Sequence, residues 1–344
     1  MRSKIVTADE AIALIRDGDT LSSTGFVQIG FAEALLSAVE RRFVATGTPR
    51  NLTLFAGAGQ GDGKELGLNH LGHEGLLKRV VAGHWAMMPK VGKLALDNKI
   101  QAYNLPQGII CQLFRDLSGG KPGTFSKVGL HTFVDPRYGG GRVNDVTTKD
   151  IVDLVEIHGE EWLFYHVGRV NVAFIRGSTA DTFGNITMER EALTLNNLAM
   201  AMAAKNSNGI VIAQVERIAE RGSLPPRQVK VPGILVDCIV VAGRRSIGRR
   251  SPPSTTRPML ANSAPRAQAW CRLPSTFSSP ELSLSQGSST PRDPSPDRRP
   301  SSPISLATPT ASRSRIRVSL RSTRRASPSN GRTIGSKAAI GSRP

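Results

Sequence analysis

Between Asp19 and Ala242, short apolar runs of strand length alternate with longer stretches of helical periodicity, and this alternation constrains the fold most strongly. DTLSSTGF precedes AEALLSAVERRFVATG, NLTLFAGAG precedes KELGLNHLGHEGLLK, and QAYNLP precedes QGIICQLFRDL. Further along, VNVAFIRGS precedes MEREALTLNNLAMAMAAKN, which leads into GIVIAQV and ILVDCIVVA. Strands that alternate with helices of this length form βαβ units. The predicted class is therefore α/β, an open and mainly parallel sheet with helices on both faces.

The ends of one helix can be predicted in detail. Thr187 stands where an N-cap residue is favoured, and Glu189 and Glu191 follow where acidic side chains complement the positive end of the helix dipole. Alanine and methionine then give high helix propensity, and Asn208-Gly209 accepts the left-handed backbone that closes a helix. We expect a helix that begins after Thr187 and ends before Asn208.

Glycine is concentrated directly after the predicted strands, where ligands bind in open parallel sheets. STGFVQIGFAE follows the first strand, FAGAGQGDG the second and RGSTADTFGNI a later one. Glycine lets the backbone approach a ligand, and the N-terminus of a following helix favours an anion. The GAGQGDG run does not fit the dinucleotide motif G-x-G-x-x-G, because Asp62 stands at its sixth position. A tight strand-to-helix turn explains the run equally well.

Two further segments each allow two interpretations. His131–Asp145 contains a turn and a cation in Asp135–Arg137 and a flexible run in Gly139–Gly141, which suits a ligand-wrapping loop or, more simply, a long structural loop. The acidic and basic side chains of Phe174–Glu191 suit substrate binding or ion pairs that fix a loop to a helix.

The cysteines and histidines do not indicate a metal site. Cys111, Cys238 and Cys271 have no CxxC spacing, and we expect the first two to be packing residues. His70 and His73 have helical spacing but no evident third ligand. The N-terminus lacks the apolar core of a secretory signal, and no stretch approaches the roughly 20 apolar residues of a membrane span. We expect a cytoplasmic protein with no membrane partner.

Taken in order, five segments resemble the family I CoA-transferases, particularly the acetate/propionate acyl-CoA:carboxylate enzymes with both halves on one chain. The segments are GDTLSSTGFVQIGFAEAL, AYNLPQGIICQLFRD, GLHTFVDPRYGGGRVN, VAFIRGSTADTFGNITMERE and AMAAKNSNGIVIAQVERI. The match extends from Ser22 to Ala242, and the ordered set is specific although no single motif is. The resemblance implies two similar α/β domains with the active site between them, and homo-oligomers.

The resemblance also implies a ping-pong reaction on acyl-CoA and short-chain carboxylates, without a metal or redox cofactor. A glutamate attacks the thioester, and a glutamyl-CoA thioester then passes CoA to an incoming acid. The match places Gly25, Phe26, Gly30 and Glu33 in a loop that lines the acyl pocket. It places Gln107 and Gly108 at a strand end facing the same cleft, where backbone N–H groups stabilise an oxyanion. One departure is Ala32-Glu33, where the family often has Pro-Glu.

The composition changes abruptly at Gly243. The segment from Gly243 to Pro344 holds 18 Arg and one Lys against two Asp and one Glu, so it carries 16 of the formal net charge of +18. Residues 1–242 therefore form the predicted CoA-transferase N-terminal α/β domain, with a charge of only +2. Residues 243–344 form a low-complexity tail, predicted to be disordered because it has little to bury.

The tail has two interpretations. It is either a natural basic extension that binds polyanions or, as we favour, an out-of-frame translation of the expected second domain. Suitable codons for GRRSIGRRSPPSTTRPMLANSA, shifted by two bases, spell PEHRQTFSAEYNPSYAGELR, which resembles the family's continuation. The resemblance implies that the nucleophilic glutamate lies in the second domain, in a short Glu-x-Gly turn. Glu281 is the only glutamate of the tail, and it does not stand in such a turn.

Three hypotheses follow. In the first, the gene encodes a short-chain acyl-CoA:carboxylate CoA-transferase, and this chain lacks the nucleophile, so no catalytic residue is assigned and the chain is expected to be inactive alone. In the second, an inactive α/β module carries a polyanion-binding tail; we expect no specific nucleic-acid partner. In the third, the chain is the α subunit of a split CoA-transferase.

Overall fold

The computed structural model describes residues 3–242. The predictions for the tail, including its disorder, the role of Glu281 and the location of Cys271, lie outside these residues. The α-helices of the described part are α1 Ala8–Ile12, α2 Glu33–Thr46, α3 Pro89–Leu96, α4 Gln107–Ser118 and α5 Asn197–Asn206. The strands are β1 Thr20–Ser23, β2 Leu52–Ala56, β3 Leu77–Ala82, β4 Gln101–Asn104, β5 Thr124–Ser126, β6 Val152–Ile157, β7 Glu160–Tyr165, β8 Val172–Arg176, β9 Thr179–Asp181, β10 Ile186–Thr187, β11 Ile210–Val215, β12 Arg217–Ala219, β13 Val229–Val231 and β14 Cys238–Val241.

The main sheet has seven strands in the order β14-β11-β8-β1-β2-β3-β4. Every neighbouring pair in it is parallel. From β1 the chain winds outward through β2, β3 and β4, and it later returns to the other side of β1 to form β8, β11 and β14. The strand order thus reverses between β1 and β8, which is where ligands bind in sheets of this kind. The predicted α/β class and parallel sheet are confirmed.

Helices cover both faces of this sheet, as predicted. Alternate residues of β8 belong to opposite cores: Val172 and Phe174 pack in the core that includes α1, α2 and α3, whereas Ala173 and Ile175 pack in the core that includes α4 and α5. Successive strand residues point to opposite faces, so an apolar strand with both faces covered has no polar alternation. This explains the continuous apolar runs of the sequence. Among the described helices, none is both long and apolar enough to cross a membrane.

Two small sheets accompany the main one. β6 and β7 form an antiparallel hairpin that β5 extends, and the order of the other small sheet is β12-β9-β10-β13. The hairpin turns at His158-Gly159, where both residues have positive φ, 52° and 80°. This backbone matches the twist of paired strands in a two-residue hairpin loop. The sequence did not predict these sheets.

The predicted start of the last helix is wrong. Thr187 belongs to β10, and α5 begins ten residues later at Asn197. Glu189 has other partners: it accepts a hydrogen bond from Thr187 Oγ1, two residues earlier, at 2.6 Å and another from Arg217 Nη2 of β12 at 2.9 Å. The predicted end is confirmed, since α5 ends at Asn206 and Asn208 has a φ of 57°.

The helix predicted after β2 is also wrong. KELGLNHLGHEGLLK forms only a 3-10 helix, Gly67–Leu71, before β3 begins. Gly67 has a φ of 70°, and a Cβ atom there would lie 2.3 Å from the backbone oxygen of Gln60. The chain folds back on itself within seven residues here, and the left-handed backbone at Gly67 interrupts the helical periodicity.

Candidate active site

A cavity of about 200 Å³ opens at the carboxyl edge of the main sheet. Its wall combines the segments after β1 and β2 with the first turns of α4 and α5. β1 adjoins the point where the strand order reverses, so the cavity occupies the position expected of a ligand site in this architecture.

The cavity has a buried floor and an exposed mouth. Thr24, Ala58 and Met200 form the floor and are at most 2% exposed, whereas Phe26 is 38% exposed and Gln107 is also exposed. Within residues 3–242, the side chains that line the cavity are all uncharged. The site can therefore hold an apolar chain at its floor and a polar group at its mouth.

The first turns of α4 and α5 contribute to the wall without a side-chain cap. The residues at their N-cap positions, Pro106 and Asn196, make no capping hydrogen bond from their side chains. Asn196 instead donates from Nδ2 to Sγ of Cys111, at 3.1 Å. The first N–H groups of an α-helix have no partner within it, and the positive end of its dipole favours an anion. The wall can thus stabilise a carboxylate without a cation.

Gly25 and Gln60 fix the loop after β1. Gln60 is fully buried; its Nε2 donates to the backbone oxygen of Ser23 at 2.7 Å, and its Oε1 accepts from Ser23 Oγ at 2.9 Å. Gly25 has a φ of 149°, and a Cβ atom on it would lie 2.7 Å from Cδ of Gln60. The GAGQGDG run therefore supplies a clamp for the cavity wall. The sequence did not assign this role to Gln60; its signal is one amide within a glycine run.

Three of the six predicted substrate-binding residues, Gly25, Phe26 and Gln107, line the cavity. The other three lie outside its wall. Gly30 lies behind it, since a Cβ atom there would be 2.7 Å from Cδ1 of Leu195. Gly108 is exposed on α4, and Glu33 turns away from the cavity to accept a hydrogen bond from the N–H of Gly67, at 2.8 Å.

The family model described as Coenzyme A transferase matches residues 5–242. The chain belongs to the coenzyme A transferase family. The matched range coincides closely with the described residues and with the α/β domain predicted from the sequence.

Other members of the CoA-transferase family are similar over the same part of the chain. Caffeate CoA-transferase of Acetobacterium woodii is 46% identical over 240 residues, which cover 70% of this chain and 46% of that protein. The acetate CoA-transferase subunit alpha of Escherichia coli strain K12 is 27% identical over 242 residues, 70% of this chain and 98% of the subunit. The matched part of this chain thus spans about half the length of the caffeate CoA-transferase.

A crystal structure of the acyl-CoA transferase YdiF from E. coli O157:H7, a thioester complex with CoA, is similar to this chain with a TM-score of 0.69 and 40% identity. The similarity covers 70% of this chain and 50% of the YdiF chain. The fold of the described residues is therefore that of one half of a CoA-transferase.

A partly buried charge cluster links α2 to the 3-10 helix Gly67–Leu71. His70 lies between two carboxylates, with Nε2 at 2.7 Å from Glu33 Oε1 and Nδ1 in contact with Glu40. Glu40 Oε1 also lies 2.7 Å from His73 Nε2. Burial opposes the charged form of His70, but the hydrogen bonds and charges of both carboxylates outweigh burial and raise its pKa. In the described residues, no group of three potential ligands suits a metal ion.

The ion pairs of Phe174–Glu191 support the structural interpretation of that segment. Arg176 Nε donates to Glu191 Oε1 at 2.8 Å, and its Nη2 lies 3.5 Å from Glu216 Oε1. The backbone N–H of Arg176 donates to Oδ1 of Asn197, the first residue of α5, at 3.1 Å. These contacts hold the start of α5 against the end of β8 and so fix one wall of the cavity.

His131–Asp145 is likewise a structural loop. Asp135 is fully buried and accepts from Arg137 Nη2 at 2.7 Å, and Arg137 also donates to Glu161 of β7. Burial alone would raise the pKa of Asp135, but hydrogen bonds from Arg137 and from backbone N–H groups lower it to about 2. Cys111, in contrast, was predicted to be a packing residue and lines the cavity.

Proposed function

We propose that this chain supplies the acyl-binding half of an acyl-CoA:carboxylate CoA-transferase that acts on short-chain acids of the acetate and propionate type. The observation that carries the proposal is the uncharged cavity of about 200 Å³ with two uncapped helix N-termini in its wall. Such a site accepts an apolar chain and stabilises a carboxylate through N–H groups. Within residues 3–242 no cationic side chain lines the cavity, so this half leaves the carboxylate free of an ion pair and therefore reactive.

The reaction follows the ping-pong course that the resemblance implies. A glutamate of a second half attacks the acyl-CoA carbonyl, CoA leaves as thiolate, and an acyl-glutamyl anhydride forms. The thiolate then attacks the glutamyl carbonyl, which releases the first acid and leaves a glutamyl-CoA thioester. An incoming carboxylate reverses both steps and departs as its CoA thioester. In each step we expect a backbone N–H of the first turn of α4, at Gln107, to stabilise the oxyanion; the position of Gln107 in the cavity wall supports this assignment.

The second half has two possible sources. The caffeate and YdiF enzymes are about twice as long as the matched part of this chain, which favours a continuation on the same polypeptide. The alignment with the E. coli alpha subunit covers 98% of that subunit, which favours a separate partner subunit. Under either arrangement the described domain binds the acyl group, and the chain alone is expected to show no turnover.

The test is a chimera in which residues 1–242 of this chain replace the corresponding half of the A. woodii caffeate CoA-transferase. We expect the chimera to exchange CoA between acetyl-CoA and propionate, while the 344-residue chain alone does not. Caffeoyl-CoA is the second donor, because it reports whether the acyl preference follows this half or the other. A folded chimera that transfers CoA to no acid contradicts the proposal, and so does turnover by the chain alone.

A further inference from the structure

His70 lies between two carboxylates of α2, and both of its ring nitrogens face a carboxylate oxygen. Nε2 lies 2.7 Å from Oε1 of Glu33, and Nδ1 contacts Oε2 of Glu40. An ionised carboxylate only accepts hydrogen bonds, so each ring nitrogen needs a hydrogen of its own. The two contacts together therefore require the imidazolium form of His70. A neutral ring has one N–H and leaves one carboxylate oxygen facing a lone pair.

The charges that act on His70 come from these two carboxylates. Burial lowers the pKa of His70, but Glu33 and Glu40 outweigh burial and raise it. Glu40 also contacts Nε2 of His73 at 2.7 Å. The neighbouring cations of α2 and α3 are engaged elsewhere or exposed: Arg41 pairs with Asp9, Arg42 donates to the backbone oxygens of Ile12 and Ile15, Lys90 pairs with Glu65, and Lys93 is exposed.

The second oxygen of Glu33 holds backbone that leads to the cavity. Oε2 accepts a hydrogen bond from the N–H of Gly67 at 2.8 Å. The next N–H, of Leu68, donates to the backbone oxygen of Gln60 at 2.9 Å. Two hydrogen bonds on adjacent residues thus connect the carboxylate that pairs with His70 to Gln60.

Gln60 passes this connection to the cavity wall. Its Nε2 donates to the backbone oxygen of Ser23 at 2.7 Å, and Ser23 lines the cavity. The backbone beside Gln60 also pairs with the loop after β1: the N–H of Gly61 donates to the oxygen of Val27 at 2.7 Å, and the N–H of Val27 donates to the oxygen of Gly59 at 3.2 Å. A displacement of Gln60 therefore reaches the cavity wall through hydrogen bonds alone.

We propose that protonated His70 is a pH-sensitive positioning residue for the cavity, so that loss of its proton loosens the wall after β1 and weakens the binding of an acid. This inference rests on the proposed function, since it takes the cavity as the acyl site. The side chain of Glu33 is 4% exposed, so little water can replace the lost cation, and a buried carboxylate without its cation is unstable. Glu40, 26% exposed, can turn to water instead. Deprotonation of His70 therefore acts on Glu33, on the side of the cavity.

The test is the pH dependence of propionate binding by the full 344-residue chain between pH 6 and pH 9.5. Every protein carries Cys111→Ala, because Cys111 is the one titratable side chain among the described residues that line the cavity. The ¹³C-labelled methyl group of Met200, assigned through Met200→Leu, reports occupancy by NMR. We expect about five- to tenfold weaker binding at pH 9.5 than at pH 6, within the usual range of coupling between two sites. His70→Gln should bind weakly and equally at both pH values.

Glu40→Gln distinguishes a charged positioning residue from simple structural support. It removes one of the two charges that favour protonated His70 but leaves the contacts of Glu33 in place. The midpoint of the binding profile should therefore move to lower pH, with the affinity below the midpoint retained. Glu74→Gln is the matched control, because Glu74 is 66% exposed and pairs with Lys99; it should leave the midpoint unchanged.

The outcomes separate this inference from the proposed function. Binding that does not change with pH in the Cys111→Ala parent overturns the inference and leaves the proposed function standing. So does a pH dependence that survives in His70→Gln, or a midpoint that Glu40→Gln does not move; the second comparison decides if His70→Gln does not fold. A Met200 signal that responds to propionate at no pH overturns both.

Discussion

Oε1 of Glu33 and Nε2 of His70 lie 2.7 Å apart in the interior between α2 and the 3-10 helix Gly67–Leu71. Glu33 also accepts a hydrogen bond from the backbone N–H of Gly67. This one carboxylate therefore links the start of α2 to the segment that follows the glycine-rich run. The family resemblance placed Glu33 in the acyl pocket; the structure gives its carboxylate an anchoring position instead.

The first prediction concerns pH. Because the pKa of His70 is raised in the folded state, its contribution to stability is fully present below the ordinary value of 6.5 and is lost as the pH rises through the folded-state pKa. We expect His70→Gln to lower the free energy of unfolding more at pH 6 than at pH 9, measured by urea titration. His166→Gln, beside the small three-stranded sheet, controls for the loss of an imidazole. An equal effect of His70→Gln at both pH values would contradict the prediction.

The second prediction compares two glycines of the candidate site. Gly25→Ala forces an alanine into a φ of 149° and places its Cβ 2.7 Å from buried Gln60. We expect a loss of about 1–3 kcal/mol in the free energy of unfolding. Gly108→Ala is the matched control, because the residue is helical and nothing lies within 4 Å of the point where its new methyl group would stand. This variant should be neutral or stabilising by up to about 1 kcal/mol. Urea titration distinguishes the two.

The third prediction tests the clamp. Gln60→Met keeps the approximate shape but removes both hydrogen bonds to Ser23, so it should cost about 1–3 kcal/mol of stability. It should also weaken binding of short-chain acids, because the loop after β1 loses its anchor; the ¹³C-labelled methyl group of Met200, which lines the cavity, reports this binding by NMR. The exposed Gln228→Met should do neither. Unchanged stability in Gln60→Met would show that the clamp does not hold the wall.

The fourth prediction contrasts a buried and an exposed arginine. Arg176 is 11% exposed, and its partners Glu191 and Glu216 are 8% and 12% exposed. Arg176→Ala removes the cationic partner of Glu191 and one of the two cationic partners of Glu216, which keeps Arg190 at 3.0 Å, at a cost of about 3–5 kcal/mol. Arg41 and Asp9 form a surface pair, 57% and 77% exposed, so Arg41→Ala should cost about 0–1 kcal/mol. Thermal or urea unfolding measures the two changes in the free energy of unfolding. Similar losses from both variants would contradict the greater structural importance assigned to the Arg176 ion pairs.

Much of the fold could be predicted because its signals are local. Strands buried on both faces require continuous apolar runs, and the helices between them carry their own periodicity. Gly25, which follows β1 at the carboxyl edge of the sheet, is a local signal too, because its φ of 149° strongly favours glycine. The ordered set of segments identified the family, which the family model confirms over residues 5–242.

The remaining features depend on contacts between distant segments. α5 starts at Asn197 rather than after Thr187, because Thr179 and Arg217 of other strands bind Glu189. Cys111 lines the cavity because Asn196, 85 residues away, approaches it. Local sequence cannot specify which of two chemically suitable partners a side chain meets, since packing of the whole domain decides that.

The sequence by itself thus determined the α/β class, the alternation of strands and helices that forms a mainly parallel sheet, and the edge of that sheet at which a ligand would bind. Only the tertiary structure decided which predicted residues share the cavity, that Glu33 pairs with His70, and that Cys111 lies in the cavity wall. The physical reason is range: backbone conformation and hydrophobic periodicity are set by neighbours in the chain, whereas burial and hydrogen-bond pairing are set by neighbours in space.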